Sequence, residues 1–193
     1  MARGNHHFPL PAVGLWGQPM VVQVVLGESE LNHLTSCCKG LEGLLEWLDS
    51  IDRRPGLAEL DVRLAGLPVN VEELRKHIGY SEEGYQRNVL KKNENYELVA
   101  ISWTPGQATP IHDHMGSDCA FLIVDGTSTE TIYVTNSEGF AVPQSVRTYA
   151  TGEVCASSEP DIHRISNEES CELINLHVYT PPLSEFGIYQ PAE

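Results

Sequence analysis

From Tyr85 onward the chain breaks into short apolar runs, with no stretch between them long enough for a helix. Strand-like runs fall at residues 85–90, 96–103, 119–124, 129–135, 145–151, 154–156, 161–165 and 172–179, and Lys91-Lys-Asn-Glu-Asn95 reads as a turn between the first two. Many short strands at this spacing predict a sandwich or closed barrel, because unpaired sheet edges must be either closed off or covered. The fold class expected is therefore mainly β.

The preceding part reads differently. Leucines at Leu31, Leu34, Leu41, Leu44, Leu45 and Leu48 follow a helical period over much of residues 28–51, and Gly40 and Gly43 are expected to split that segment into two helices. Pro55-Gly56 opens another segment. Asn70, with an acidic residue three positions on at Glu73, predicts the cap of a short helix running to about Ile78. Nothing here looks catalytic, and helices covering a sheet are the simplest expectation. A chain of 193 residues without repeats or long linkers suits one domain, with a helical part over about 1–80 and a β part over about 85–182.

Composition bounds the partners. A formal charge of −15 argues against nucleic acid or an anionic membrane surface, both of which reward clustered Lys and Arg. The first 20 residues lack the apolar core of a secretory signal, and residues 21–26 are too short to span a bilayer. His6-His7 reads as part of a tail rather than a ligand pair. Five cysteines, an odd number with no C-x-x-C pair, do not form a disulfide framework or a zinc ribbon, so a cytoplasmic location is expected. A monomer is the default expectation.

The chemistry concentrates in residues 106–126, GQATPIHDHMGSDCAFLIVDG. His112 and His114 are one residue apart, so on a strand both imidazoles would leave the same face. Asp125-Gly126 predicts a tight hairpin after the apolar run. Alone, an H-x-H pair is weak evidence for a metal. His163, in Pro160-Asp-Ile-His-Arg-Ile-Ser-Asn167, strengthens it by offering a third imidazole on a separate strand. These spacings resemble the two cupin motifs: Gly106, His112, His114 and Gly126 fit the first, while His163, Asn167 and in part Pro160 fit the second. The glutamate ligand usual in cupins is missing, and Cys119 stands in its place.

That departure narrows the chemistry. Three neutral imidazoles leave a divalent ion its full double charge and, if octahedral, three open positions. Such an ion attracts an anionic soft ligand and lowers the pKa of a bound thiol. Thiolate and dioxygen side by side on a redox-active metal are arranged for sulfur oxidation to a sulfinic acid.

His112-Asp-His114-x4-Cys119, Asp161-Ile-His163-Arg164, Leu176-His-Val-Tyr179-Thr-Pro-Pro182 and Tyr85-Gln-Arg87-Asn88 closely resemble the corresponding motifs of the cysteine dioxygenase family. The likeness runs from about Tyr85 to Pro182 in four separated segments. It implies a cupin (jelly-roll) β-barrel with an N-terminal helical cap, His112, His114 and His163 as Fe(II) ligands, and oxidation of L-cysteine by O2 to cysteine sulfinic acid. It further implies that Arg87 binds the substrate carboxylate through its two-pronged guanidinium, with Tyr85 near the pocket. Tyr179 would hold its hydroxyl beside the bound thiolate, His177 would orient it, and Cys119 would join Tyr179 in a thioether cross-link. Asn175 stands where mammalian members have serine in a Ser-His-Tyr row, and Met115 and Asp118 also differ around the Cys119 loop.

Other readings stay open at this point. A 3-mercaptopropionate dioxygenase shares the thiol and carboxylate, but such relatives usually carry glutamine at the Arg87 position and lack the Tyr-x-Pro-Pro run. A non-catalytic metal-binding cupin would hold the same histidines without turnover. Zinc or nickel could occupy them as well, because three histidines do not select iron by affinity.

Overall fold

The computed structural model of the protein describes residues 20–157 and 161–192; the opening arm with His6-His7, and Pro160 of the second motif, lie outside the described residues. Strand β1 (Met20–Val25) leads into four helices, α1 (Glu28–Cys37), α2 (Lys39–Ser50), α3 (Leu57–Leu64) and α4 (Val71–Arg75). Ten strands follow: β2 (Gly84–Lys92), β3 (Glu97–Trp103), β4 (Ile111–His112), β5 (Asp118–Asp125), β6 (Thr127–Thr135), β7 (Ala141–Ala150), β8 (Val154–Ser157), β9 (Ile162–Ser166), β10 (Leu173–Thr180) and β11 (Ile188–Tyr189). They form a six-stranded sheet in the order β1-β2-β3-β10-β5-β8 and a five-stranded sheet in the order β11-β4-β9-β6-β7. The architecture is a mainly β jelly roll built from two sheets, and among the described residues no ladder closes them into one continuous barrel.

The strands of the larger sheet read as unbroken apolar runs because both of their faces are covered. Leu98, Ala100, Ala120, Leu122, Val124, Ile174, Leu176 and Val178 pack with the helices' Leu34, Leu41, Leu44, Leu48, Leu60, Leu64 and Leu74. Their alternate neighbours, Val99, Ile101, Trp103, Cys119, Phe121, Ile123, Leu173 and Tyr179, form the second core. This strict period of two decides which residues reach the interior between the sheets. A fully buried leucine of the helical layer is worth about 2–5 kcal/mol against alanine, so the helices hold one face of the site-bearing sheet in place.

Several local expectations are corrected. The helical segment breaks at Cys38, whose backbone leaves the helical region, and not at a glycine. Gly40 lies within α2, where an added Cβ would collide with the Pro68 carbonyl, so it serves close approach and not helix breaking. Asp125-Gly126 is not a hairpin: β5 and β6 belong to different sheets and do not pair. Gly126 is instead a corner between them, at φ 89°, and an added Cβ there would stand 2.7 Å from the Glu172 carbonyl oxygen. Residues 20–25 form a strand pairing parallel with β2, with Val21 opposite Tyr85 and Gln23 opposite Arg87. The cap at Asn70 is as expected, its side chain accepting from the Glu73 amide at 3.1 Å, but α4 is shorter than expected.

Candidate metal centre

His112 closes the two-residue strand β4 and is the register partner of His163 on β9. His114 does not share that strand. It lies just beyond β4, before Met115 and Gly116, whose positive φ values of 23° and 84° turn the chain toward β5. The three rings nevertheless converge, with centroids 4.7 Å apart for His112 and His163, 4.8 Å for His114 and His163, and 5.1 Å for His112 and His114. One nitrogen from each lies within 4.8 Å of the others.

Hydrogen bonds orient two of these rings. His112 Nδ1 lies 3.0 Å from the Pro110 carbonyl oxygen and His163 Nδ1 lies 2.8 Å from Glu130 Oε1. Each Nδ1–H donates to an oxygen that can only accept, which leaves each Nε2 lone pair for a metal. His163 Nε2 stands 3.3 Å from His114 Nε2. Two imidazole nitrogens bound to one ion at about 2.0–2.1 Å are roughly 3–3.4 Å apart, so the donor set fits a single transition-metal ion. Burial, reinforced by the neighbouring His163, pushes the His112 pKa down to about 3, and burial lowers His114 as well. Both are thus neutral at ordinary pH, as metal ligation requires.

A small cavity of ≈ 60 Å³ opens beside these rings. Tyr85, Arg87, Trp103, His177 and Tyr179 line it together with His112, His114 and His163. Space of about 10–15 Å³ suffices for one water, so the cavity admits a small molecule's polar end but not a bulky one. Arg87 is only 7% exposed. Its Nη2 meets Glu97 Oε1 at 3.2 Å, its Cζ lies 5.4 Å from the Tyr179 ring centre, and its Nε has no partner among the described residues. Tyr85 stacks on Trp103 at 4.7 Å, forming an apolar wall beside that cation.

Cys119 and Tyr179 are direct partners across the β5–β10 ladder. Cys119 does not line the cavity itself. Its Sγ lies 3.6 Å from Nδ1 of His177, and the Tyr179 hydroxyl lies 3.3 Å from the same atom. Burial raises the Cys119 thiol and the Tyr179 phenol well above their usual pKa values and holds His177 well below its own. All three are therefore neutral, and Tyr179 is a proton donor. The row ends at His177: the Asn175 amide nitrogen turns to Ser128 Oγ at 3.4 Å, while Asn175 Oδ1 and His177 Nε2 have no hydrogen-bond partner among the described residues.

The sequence reading missed several residues around the site. Glu130 is fully buried; burial opposes its charge, yet the hydrogen bonds from His163 and Tyr149 bring its pKa below the ordinary value. No local signal marks it: Ser128 and Glu130 both turn inward on β6, but the surrounding residues are polar as well. Glu97, the buried partner of Arg87, begins β3 and carried no motif. Leu183 and Phe186 join the cavity wall from the C-terminal segment. That segment is fastened over the ligand loop by Asp113, which accepts from the Gly187 amide at 2.7 Å and the Tyr189 hydroxyl at 2.6 Å.

Comparisons with known proteins bear on the family and the fold. The chain is 28% identical over 138 residues to cysteine dioxygenase type 1 of Rattus norvegicus, a match covering 61% of this chain and 68% of the relative. It is 24% identical over 150 residues to cysteine dioxygenase type 1 of Danio rerio, covering 74% and 75%. Among solved structures, an uncharacterised protein with a double-stranded β-helix domain from Klebsiella pneumoniae superposes with a TM-score of 0.51 at 16% identity, over 61% of this chain and 88% of that one, a likeness of fold. The family model for cysteine dioxygenase type I matches residues 58–191, from α3 to the last strand. On the extent of that match, the chain belongs to the cysteine dioxygenase type I family.

Proposed function

We propose that the protein is a thiol dioxygenase that converts L-cysteine and O2 to cysteine sulfinic acid, with Fe(II) held by His112, His114 and His163. The observation that carries this reading is the buried Arg87 guanidinium in the same small cavity as the three converging imidazoles. A ligand with a soft anionic end and a carboxylate end matches that pair of features. When bound, iron supplies the redox chemistry that adds both atoms of dioxygen to the substrate sulfur.

The protein's own groups bind and orient. Glu97 engages Arg87 through one nitrogen, at 3.2 Å from Nη2, which leaves Nε to meet a substrate carboxylate. The Tyr85–Trp103 stack shields that ion pair from water, strengthening it. Tyr179, neutral because it is buried and held by His177, presents a hydroxyl to the cavity. The reading includes a cytoplasmic monomer. Among the described residues no helix is long and apolar enough to cross a membrane.

Oxygen consumption by iron-loaded protein with a panel of small thiols tests the reading. L-cysteine should be preferred over 3-mercaptopropionate, which lacks the amine, and over cysteamine, which lacks the carboxylate. Preference for 3-mercaptopropionate would reassign the substrate. No uptake with any thiol would favour a metal-binding cupin without turnover.

A further inference from the structure

A second group of metal-ligating side chains lies away from the cavity, between α1 and α4. His33 and Cys37 are four residues apart on α1, and Glu73 and His77 are four apart on α4 and the turn that follows it. Spacing of four puts each pair on one helix face, and the two faces meet. His33 Nε2 and His77 Nε2 each lie 3.5 Å from the same oxygen, Glu73 Oε1. Potential ligand atoms of His33, Cys37 and Glu73 all fall within 4.8 Å of one another. The His33 and His77 ring centres are 5.4 Å apart, wider than at the three-histidine centre, so His77 stands at the edge of this close group.

His77 is largely buried, and its Nε2 faces Glu73 Oε1 at 3.5 Å, a long contact that leaves room for an ion between them. Glu73 Oε2 is taken by Lys76 at 2.7 Å, which leaves Oε1 directed at the two imidazoles. Cys37 is exposed and is not disulfide-bonded. Two imidazoles, a thiolate and a carboxylate are a donor set for a tetrahedral borderline-soft ion, with bonds of about 2.0–2.3 Å. His33 and Cys37 are both exposed, so their side chains are the ones that would turn to close the remaining distance to Glu73 and His77.

We propose that His33, Cys37, Glu73 and His77 form a second metal site, for Zn²⁺ or a similar divalent ion, that clamps α1 to α4. Binding takes up M²⁺, converts the Cys37 thiol to a metal-bound thiolate and releases one proton to solvent. The thiolate and carboxylate together balance the ion's charge. No electron is transferred, and the site has no part in sulfur oxidation.

Cobalt(II) is the probe, because a cobalt–thiolate bond has a charge-transfer absorption that imidazole or carboxylate ligation lacks. Anaerobic protein already loaded with iron is titrated with Co²⁺. One further equivalent per chain should bind with that absorption, and Zn²⁺ should displace it. Cys37→Ser should abolish the absorption, and His77→Gln or His33→Ala should weaken binding at least tenfold, with iron content and thiol-dependent oxygen uptake unchanged. His33 is exposed, so its variant keeps the test valid if His77→Gln folds poorly. Absence of a further equivalent, or an absorption that survives Cys37→Ser, would overturn the proposal.

Discussion

Cys119 and Tyr179 stand opposite each other in the β5–β10 ladder, and both approach a single nitrogen, Nδ1 of His177, at 3.6 and 3.3 Å. Direct cross-strand partners have Cβ atoms about 4.5–5.5 Å apart, so a sulfur and a phenol ring there need little movement to meet. A thioether between Cys119 Sγ and the ring carbon beside the phenol oxygen would form by loss of the thiol and ring hydrogens, two electrons and two protons reducing one dioxygen to hydrogen peroxide. Peptide mass analysis after extended turnover should find these two residues joined, lighter by about two hydrogens than the separate peptides, as that loss requires. Cys119→Ala should keep iron and part of the activity, because the bond would fix the hydroxyl's position and would not itself be the reacting group. Unmodified residues after prolonged turnover would reject the bond.

Arg87 and Glu97 form a buried pair with side chains 8% and 2% exposed. Removing one partner of a charge pair that is desolvated typically costs about 2–5 kcal/mol. Arg87→Ala should therefore raise KM for L-cysteine by roughly 30-fold or more, since every 1.4 kcal/mol is about tenfold. Arg87→Lys should recover little of it, because an ammonium cannot contact Glu97 and a carboxylate through one planar fork. Glu97→Gln acts in the other direction on binding: it destabilises the substrate-free protein by leaving Arg87 uncompensated, so substrate should raise Tm more than in the wild type. An unchanged KM in Arg87→Ala would remove this residue from the binding site.

Glu130 holds the Nδ1 side of His163 at 2.8 Å with no exposure to solvent. Such partners fix the ligating tautomer and raise the basicity of the metal-facing nitrogen, and their loss typically costs about 10–100-fold in metal affinity. Glu130→Gln should weaken iron binding by that factor in a chelator competition. The fully loaded variant should change its KM for cysteine little, because Glu130 does not line the cavity. Unchanged affinity would mean that Pro110 and the strand register alone position the rings.

The site was more legible in the chain than the sheets that build it. His112, His114 and His163 announce themselves because metal ligands cluster in short motifs, and Arg87, His177 and Tyr179 lie in segments with their own signatures. Glu130 was invisible because its burial depends on β6 pairing with β9, more than 30 residues away along the chain. The parallel pairing of residues 20–25 with β2 spans a whole helical layer and leaves no local mark. Asp125-Gly126 carries a true turn signal, but the choice between a hairpin and a corner between sheets is made by Glu172 and Leu173 packing against Gly126. Local conformation is written locally, whereas sheet membership is decided by distant partners.

Metal-free protein should lose stability as pH falls from 7 toward 3. His112 has a folded pKa of about 3 against 6.5 for an unperturbed group, primarily because burial disfavours its charged form. The folded pKa is the lower one, so below pH 6.5 the unfolded chain binds a proton that the folded chain refuses. Stability therefore rises with pH through this window and is lost on acidification, at up to about 1.4 kcal/mol per pH unit for one histidine. From pH 7 to 5 this group alone withdraws roughly 2 kcal/mol, and the lowered pKa values of His114 and His177 add in the same direction. Carboxylates such as Glu130, whose pKa is lowered, begin to contribute only below their unperturbed value of 4.5. Urea unfolding of chelator-treated protein at pH 7, 6 and 5 measures the slope. His112→Gln removes one titrating group and should flatten it by up to about 1.4 kcal/mol per pH unit; an equally steep slope in that variant would mean that His112 is protonated in the folded state.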